Sequence, residues 1–124
     1  MILGVGCDIV EVSRVVNACE KETFLRKYYT DKERELIGDL KSRAATNFAG
    51  KEAVAKAFGT GFAGIRPIDI EILRDDKGAP YVVLWETAQK KAKELGAEKI
   101  HISLSDEKMY AMAYVILSDE KEVL

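Results

Sequence analysis

From Ile2 to Val12 the chain is almost wholly apolar, broken only by Asp8 and Glu11. A run of this kind, ended by polar residues, predicts a first strand. Ser13 is placed to cap a short helix reaching Cys19 or Glu20, and a second helical piece surrounds Phe24–Tyr28. Thr30 followed by Glu33 is a capping-box pattern and predicts a helix from Asp31 to about Leu40. The clearest long helix is Ser42–Phe58, where Ala45, Phe48, Ala49, Glu52, Ala55 and Lys56 share one side at spacings of three and four. Gly59 is placed to end it, and Thr60 to Arg66, holding Gly61 and Gly64, reads as a loop.

Beyond the loop the period changes to two. Ile68, Ile70 and Ile72 alternate with Asp69 and Glu71, the pattern of a half-buried strand. Asp75-Asp76-Lys77-Gly78 is turn chemistry and Tyr81–Trp85 follows as the second strand of a hairpin. Ala88, Ala92 and Leu95 mark a helix stopped by Gly96. Ile100–Ser105 and Tyr110–Leu117 read as a final hairpin around Asp106-Glu107-Lys108. Helices mixed with antiparallel hairpins place the chain in the α+β class. With 124 residues and no repeat or linker, residues 1–124 form a single small domain.

Composition narrows the range of functions. A formal net charge of −2 makes the chain no electrostatic magnet for nucleic acid. No apolar run approaches the roughly 20 residues of a membrane span. The opening MILGVGCDIVEV lacks a basic start and carries Asp8, so it reads as a strand rather than an export signal. Cys7 and Cys19 form no C-x-x-C pair, which fits reduced thiols in a cytoplasmic protein. A domain of this size keeps a high surface fraction, so assembly with its own copies would help it.

Four features could carry chemistry. Asp8 interrupts an apolar strand, which is costly unless a cation or hydrogen bond satisfies it; the plain alternative is a cap on the turn that follows. Glu52, on the Phe48 side of the long helix, is a metal ligand or base, or else half of a surface Glu52–Lys56 pair worth about 0.2–0.5 kcal/mol. Lys56 beside Gly59-Thr60-Gly61 could receive phosphate oxygens, although no Walker-type loop is present. Lys21, Arg26, Lys27, Lys32 and Arg34 cluster, diluted by acidic neighbours, as a solvated surface or a docking one. His101 alternates with Ile100 and Ile102 and reads as a residue of the opposite strand face; no catalytic triad assembles around it.

Taken together, these segments resemble the bacterial holo-acyl-carrier-protein synthase family of 4′-phosphopantetheinyl transferases. G-V-G-C-D-I-V-E-V-S-R resembles the family's G-x-D-I-x-x-x-x-R start, and F-A-G-K-E-A-V-A-K-A-F-G-T-G its F-x-x-K-E-A-x-x-K-A-x-G-x-G helix. D-I-E-I-L-R-D-D-K-G-A-P-Y and H-I-S-L-S-D-E also match in order and spacing. The resemblance implies the family's fold, an antiparallel sheet packed with a long central helix. It implies Asp8 and Glu52 as ligands of Mg²⁺, which prefers hard oxygens and keeps waters and phosphate beside one or two carboxylates. It implies that Lys56 holds a phosphate oxygen while a carrier-protein serine attacks the β-phosphate of coenzyme A and 3′,5′-ADP leaves. Glu52 or a metal-bound water would take the serine proton. Gly59, Gly61, Gly78 and Pro80 would line the coenzyme cleft, at the subunit interfaces of a homotrimer. Arg14, Lys21, Arg26 and Lys27 would dock the partner, a small acidic acyl carrier protein.

The match departs from the pattern twice. The chain reads T-N-F-A-G-K-E where the family usually has G-R-F-A-A-K-E, so Asn47 replaces an arginine. Asp106 stands where a histidine is expected. Both positions are associated with the coenzyme side of the cleft, so the phosphate grip is expected to be weaker or rebuilt, with Arg43, four residues before Asn47, as the substitute. The departures also motivate a second expectation, a catalytically silent relative that binds carrier protein or nucleotide. A third is a plain interaction domain in which Asp8 and Glu52 are ordinary surface and capping carboxylates.

Overall fold

Ten consecutive residues, Ile2–Glu11, form β1. Three short helices follow, α1 (Val12–Ala18), α2 (Glu22–Tyr28) and α3 (Asp31–Ile37), and then the long α4 (Lys41–Ala57). A 3-10 turn at Pro67–Asp69 leads into β2 (Ile70–Arg74), β3 (Pro80–Leu84), α5 (Glu86–Leu95), β4 (Lys99–Asp106) and β5 (Tyr110–Ser118). This is a computed structural model, and it describes residues 1–119. β1, β5 and β4 make one antiparallel sheet in that order; β2 and β3 make a separate hairpin that packs beside β4.

Pairing sets two faces on the three-stranded sheet. Gly4–Leu117–Ile100, Gly6–Val115–Ile102 and Asp8–Ala113–Leu104 stand in rows on one face, and α4 packs against β1 and β5 there. Val5–Ile116–His101, Cys7–Tyr114–Ser103 and Ile9–Met112–Ser105 stand in rows on the other.

The long helix differs from its expected one-sided pattern. Residues all round α4 are buried, among them Ala44, Asn47, Gly50, Lys51, Val54 and Ala57. The sheet covers one side, and α1, α3 and β2 cover others. Small side chains make this possible: a Cβ on Gly50 would collide with Ile72 and lie 3.3 Å from Ile102.

Other local expectations are corrected. Ser13 does not cap α1; Glu11 holds that position without a side-chain bond, and Ser13 lies inside the helix. α3 has the expected Thr30–Glu33 capping box but stops at Ile37, where Gly38 turns the chain at φ 44°. Asp69 and Glu71 are buried rather than solvated. Asp69 accepts from Thr87 and Arg66, and Glu71 from Thr30 (2.6 Å) and Trp85 (3.1 Å).

Glu33 also reaches beyond its cap. Lys51 Nζ donates to Glu33 Oε1 at 2.7 Å and to the carbonyls of Pro67 and Ile70, and both side chains are fully buried. Asn47 Nδ2 donates to Glu33 Oε2 (3.0 Å) and to Ile72 O (2.9 Å). Burial pushes the Glu33 carboxyl up and the Lys51 ammonium down, and each partner's charge opposes that shift. The pair ties α4 to α3 and to the start of β2.

Candidate metal and phosphate site

The site begins with two glycines. Gly4, Gly6 and Asp8 alternate on the helix-facing side of β1. A Cβ on Gly4 would lie 3.1 Å from the Ala57 carbonyl carbon, and one on Gly6 would lie 2.7 Å from Ala57 N. Only residues without a side chain let β1 lie this close to α4. Two residues of strand advance about 6.8 Å and four residues of helix about 6 Å, so strand and helix keep step from Gly4–Ala57 to Gly6–Ala53. The next step sets Asp8 level with Ala49, one turn from Glu52, and the long Lys56 side chain reaches back along α4 to meet it.

Lys56 Nζ donates to Asp8 Oδ1 at 2.9 Å and to Cys7 O at 3.1 Å. The Asp8 side chain is mostly covered, with 15% of its surface exposed, while that of Lys56 is half exposed. Burial raises the Glu52 pKa above the usual carboxylate range, the Asp8 charge raises it further, and Lys56 opposes both. The hydrogen bond that Lys56 gives to Asp8 leads the causes that raise the Lys56 pKa. Two carboxylates from segments 44 residues apart therefore feel one another, with a lysine between. Ionised together they repel, and a dication would relieve that repulsion. They are hard oxygen donors, and among the described residues no group of three or more His, Cys, Asp or Glu could hold a metal ion. The pair fits a cation that keeps most of its positions for water and phosphate.

Tyr28 was not singled out by the sequence. Its ring stacks on Phe24 (4.5 Å) and Phe48 (5.2 Å) and meets Phe62 edge-on. Burial raises its phenol pKa, and so does the Glu52 charge, which places this aromatic stack beside the acidic pair. Gly4, Gly6 and Lys51 were missed too. A signal for the glycines was present, since Gly-x-Gly-x-Asp keeps the period of a strand.

The other expected residues fall elsewhere. Gly59 (φ 85°) and Gly61 (φ 59°) turn the chain one helical turn beyond Lys56, and a Cβ on either would meet nothing within 4 Å. Gly78 and Pro80 lie at the tip of the β2–β3 hairpin. Arg43 is not beside Asp8 and Glu52; its Nη1 donates to Leu36 O at 2.9 Å. Asp106 ends β4 and is exposed. Asn47 is fully buried, and Arg74 Nη2 donates to its Oδ1 at 3.0 Å. Arg14, on α1, lines a cavity of about 380 Å³ with Ile9, Val15, Phe24, Phe48 and Tyr110. Lys21, Arg26 and Lys27 are exposed on or next to α2; Arg26 pairs with Glu22, and the Lys27 ammonium lies 5.9 Å from the Tyr28 ring centre. His101 is exposed and within 3.1 Å of Ser118 Oγ.

Known proteins resemble this chain along nearly its whole length. Residues 4–115 match the 4′-phosphopantetheinyl transferase superfamily. The holo-[acyl-carrier-protein] synthase of Lachnoclostridium phytofermentans is 52% identical over 116 residues, covering 94% of this chain and 95% of that one. The synthase of Clostridium tetani is 40% identical over 97% of this chain and 98% of its own. Among solved structures, the Neisseria meningitidis synthase superposes with a TM-score of 0.86 at 30% identity, covering 96% of this chain and all (100%) of that one. The Helicobacter pylori synthase, solved in complex with coenzyme A, gives 0.82 at 30% identity, covering 92% and 99%. A matched profile over most of its length, with the fold and identity of several synthases, shows that this chain belongs to the 4′-phosphopantetheinyl transferase superfamily.

Proposed function

We propose that this chain transfers the 4′-phosphopantetheine arm of coenzyme A to a serine of an apo acyl carrier protein, with release of 3′,5′-ADP. The observation that carries the reading is the meeting of Asp8, Glu52 and Lys56 at the contact of β1 with α4. Relatives of 52% and 40% identity bear the name of that activity.

Asp8 and Glu52 would hold Mg²⁺, whose role when bound is to polarise phosphoryl oxygens and offset charge on the leaving group. Lys56, whose side chain is half exposed, would give a charge-assisted hydrogen bond to a phosphate oxygen. Glu52 is the side chain suited to accept the serine proton, directly or through water, because its environment raises its proton affinity. Gly59, Gly61, Gly78, Pro80, Arg43 and Asp106 remain the proposed coenzyme-side residues.

Arg14, Lys21, Arg26 and Lys27 would dock the acidic carrier protein, with the cavity beside Arg14 offering an apolar foothold. Binding through such charges weakens as salt rises. The homotrimer is supported by the sheet face turned away from α4, where Ile9, Val5, Tyr114 and Met112 are 64%, 49%, 47% and 44% exposed. Apolar patches of this kind mark contact surfaces. Among the described residues, no helix is long and apolar enough to cross a membrane. We place the reaction in the cytoplasm, in keeping with two unbridged cysteines.

The test is incubation of the protein with coenzyme A, Mg²⁺ and an apo carrier protein, followed by mass spectrometry of the carrier. The added arm is expected, and Glu52→Gln should nearly abolish it with the fold intact. Absence of the arm at every metal concentration would favour a silent relative, and near-normal turnover by Glu52→Gln would remove that residue from the site.

A further inference from the structure

The central helix has little shape of its own to hold it in place. Alanine and glycine form most of its buried positions, Ala45, Ala49, Gly50 and Ala53 among them. Interlocking ridges of side chains normally fix how a helix sits on its neighbours, and a face of methyl groups offers only shallow ridges. Glu52 is carried on this helix and is half-buried. A glutamate carboxylate stands about 5–6 Å from the helix axis, so a rotation of α4 by about 10° displaces it by about 1 Å.

Two polar residues supply what the smooth surface lacks. Lys51 has three ammonium protons and three acceptors: Glu33 Oε1 on α3 (2.7 Å), Pro67 O in the 3-10 turn (3.1 Å) and Ile70 O at the start of β2. Acceptors from three segments hold the nitrogen from three directions. Asn47, one turn earlier on the same side, donates to Glu33 Oε2 (3.0 Å) and to Ile72 O (2.9 Å). Glu33 is itself held, accepting from the Thr30 amide on Oε1 (3.2 Å) and from the Ile72 amide on Oε2 (3.3 Å). Glu33, Asn47 and Lys51 are all fully buried. Phe48 and Glu52 form the next column of α4, about 100° round the axis. Buried charge is a poor way to gain stability, since apolar residues of similar volume are often as stable or more so; the best-attested use of such groups is to fix register.

We propose that Glu33, Asn47 and Lys51 are positioning residues, which set the rotation of α4 and thereby the place of Glu52 relative to Asp8. They act through the helix backbone, on which Lys51 and Glu52 are consecutive. Their effect on turnover rests on the transferase reading; their effect on how two carboxylates share a cation does not.

The test separates position from stability. Glu33→Gln/Lys51→Met removes both charges at nearly constant volume, and Asn47→Leu keeps the ion pair but loses the amide. Fluorescence of Trp85, the only tryptophan, follows urea unfolding and gives the folded fraction. Mn²⁺, a dication that suits carboxylates, is titrated without substrates and read by its paramagnetic resonance. Loss of groups that orient metal ligands costs about 10–100-fold in metal affinity, and the double variant should bind Mn²⁺ more weakly by that factor per folded molecule. Its kcat at saturating coenzyme A and Mg²⁺ should fall by about 100-fold, the scale of a 1 Å misplacement. KM for the carrier protein should stay unchanged, because Arg14, Lys21, Arg26 and Lys27 lie on or beside α1 and α2. Asn47→Leu should show smaller losses of the same two quantities. A purely structural role predicts a lower unfolding midpoint and nothing else. Mn²⁺ affinity and kcat per folded molecule equal to those of the unmodified protein therefore overturn the proposal, as does a rise in carrier KM with kcat intact. If the unmodified protein modifies no carrier, the transferase reading fails, and the Mn²⁺ titration still decides on the three residues.

Discussion

Replacing Gly6 with alanine should damage both the fold and the site. The added methyl would lie 2.7 Å from Ala57 N and 3.0 Å from the Ala53 carbonyl carbon, and would collide with the Ala53 oxygen. Carbon contacts settle at about 3.5–4.0 Å, so strand and helix must part by roughly 0.8 Å or more at this level. Every atom in the way belongs to the α4 backbone, and no flexible side chain can swing aside. Nor can the helix retreat freely, because Lys51 fastens it to Glu33, Pro67 and Ile70. Overpacking of this type costs about 1–3 kcal/mol. Asp8 is two residues along the strand, so it would move by a similar amount from Glu52 and Lys56. A displacement near 1 Å lowers rates by about 100-fold. Urea unfolding followed by circular dichroism should show a lower midpoint, and the folded fraction should transfer slowly and need more Mg²⁺. Gly4→Ala, one step further from Asp8, should lose comparable stability but less activity. An unchanged midpoint with unchanged Mg²⁺ dependence in Gly6→Ala would refute the close-approach account.

Lys51→Met leaves the Glu33 carboxylate buried without its cation and should cost about 3–5 kcal/mol; adding Glu33→Gln should recover part of it in urea titrations, and no recovery would count against the pairing argument. The raised Glu52 pKa has a defined sign: relative to the unfolded chain, its contribution is favourable below the ordinary carboxylate pKa and is lost as pH rises through the raised value. In metal-free buffer, Glu52→Gln should therefore be more stable than the unmodified chain near about pH 8 and show no such gain near about pH 4; equal midpoints at both would contradict the shift. Ile9→Asp puts a charge on the exposed sheet face and should reduce the mass measured by light scattering after gel filtration, whereas an unchanged oligomer would acquit that face.

Local rules carried much of the fold. The Thr30–Glu33 box, the Gly96 stop and the Asp75–Gly78 turn each depend on a few neighbouring residues, and each formed where the pattern put it. The second oxygen of Glu33 was illegible, because its partners Asn47 and Ile72 lie 14 and 39 residues away. α4 was read as one-sided because alanine and glycine give little hydropathy contrast, yet their smallness is what lets neighbours pack all round it. Asp69 and Glu71 looked solvated by alternation; Thr87, Arg66, Thr30 and Trp85 satisfy them from segments no local pattern connects. Asp8 and Glu52 were individually ambiguous. Family resemblance supplied their pairing, and the close approach of a glycine-bearing strand to the helix gives it a physical cause.

β1 has two customers, one on each side. Its even-numbered positions from Gly4 to Asp8 serve the helix and the acidic pair, while Val5, Cys7 and Ile9 face outward. Sliding the strand by a single residue would swap the two sets, burying isoleucine against α4 near Glu52 and turning aspartate to the outer face. A one-codon insertion between Gly4 and Asp8 should thus abolish catalysis and assembly together, whereas point changes on either side can disable one and spare the other.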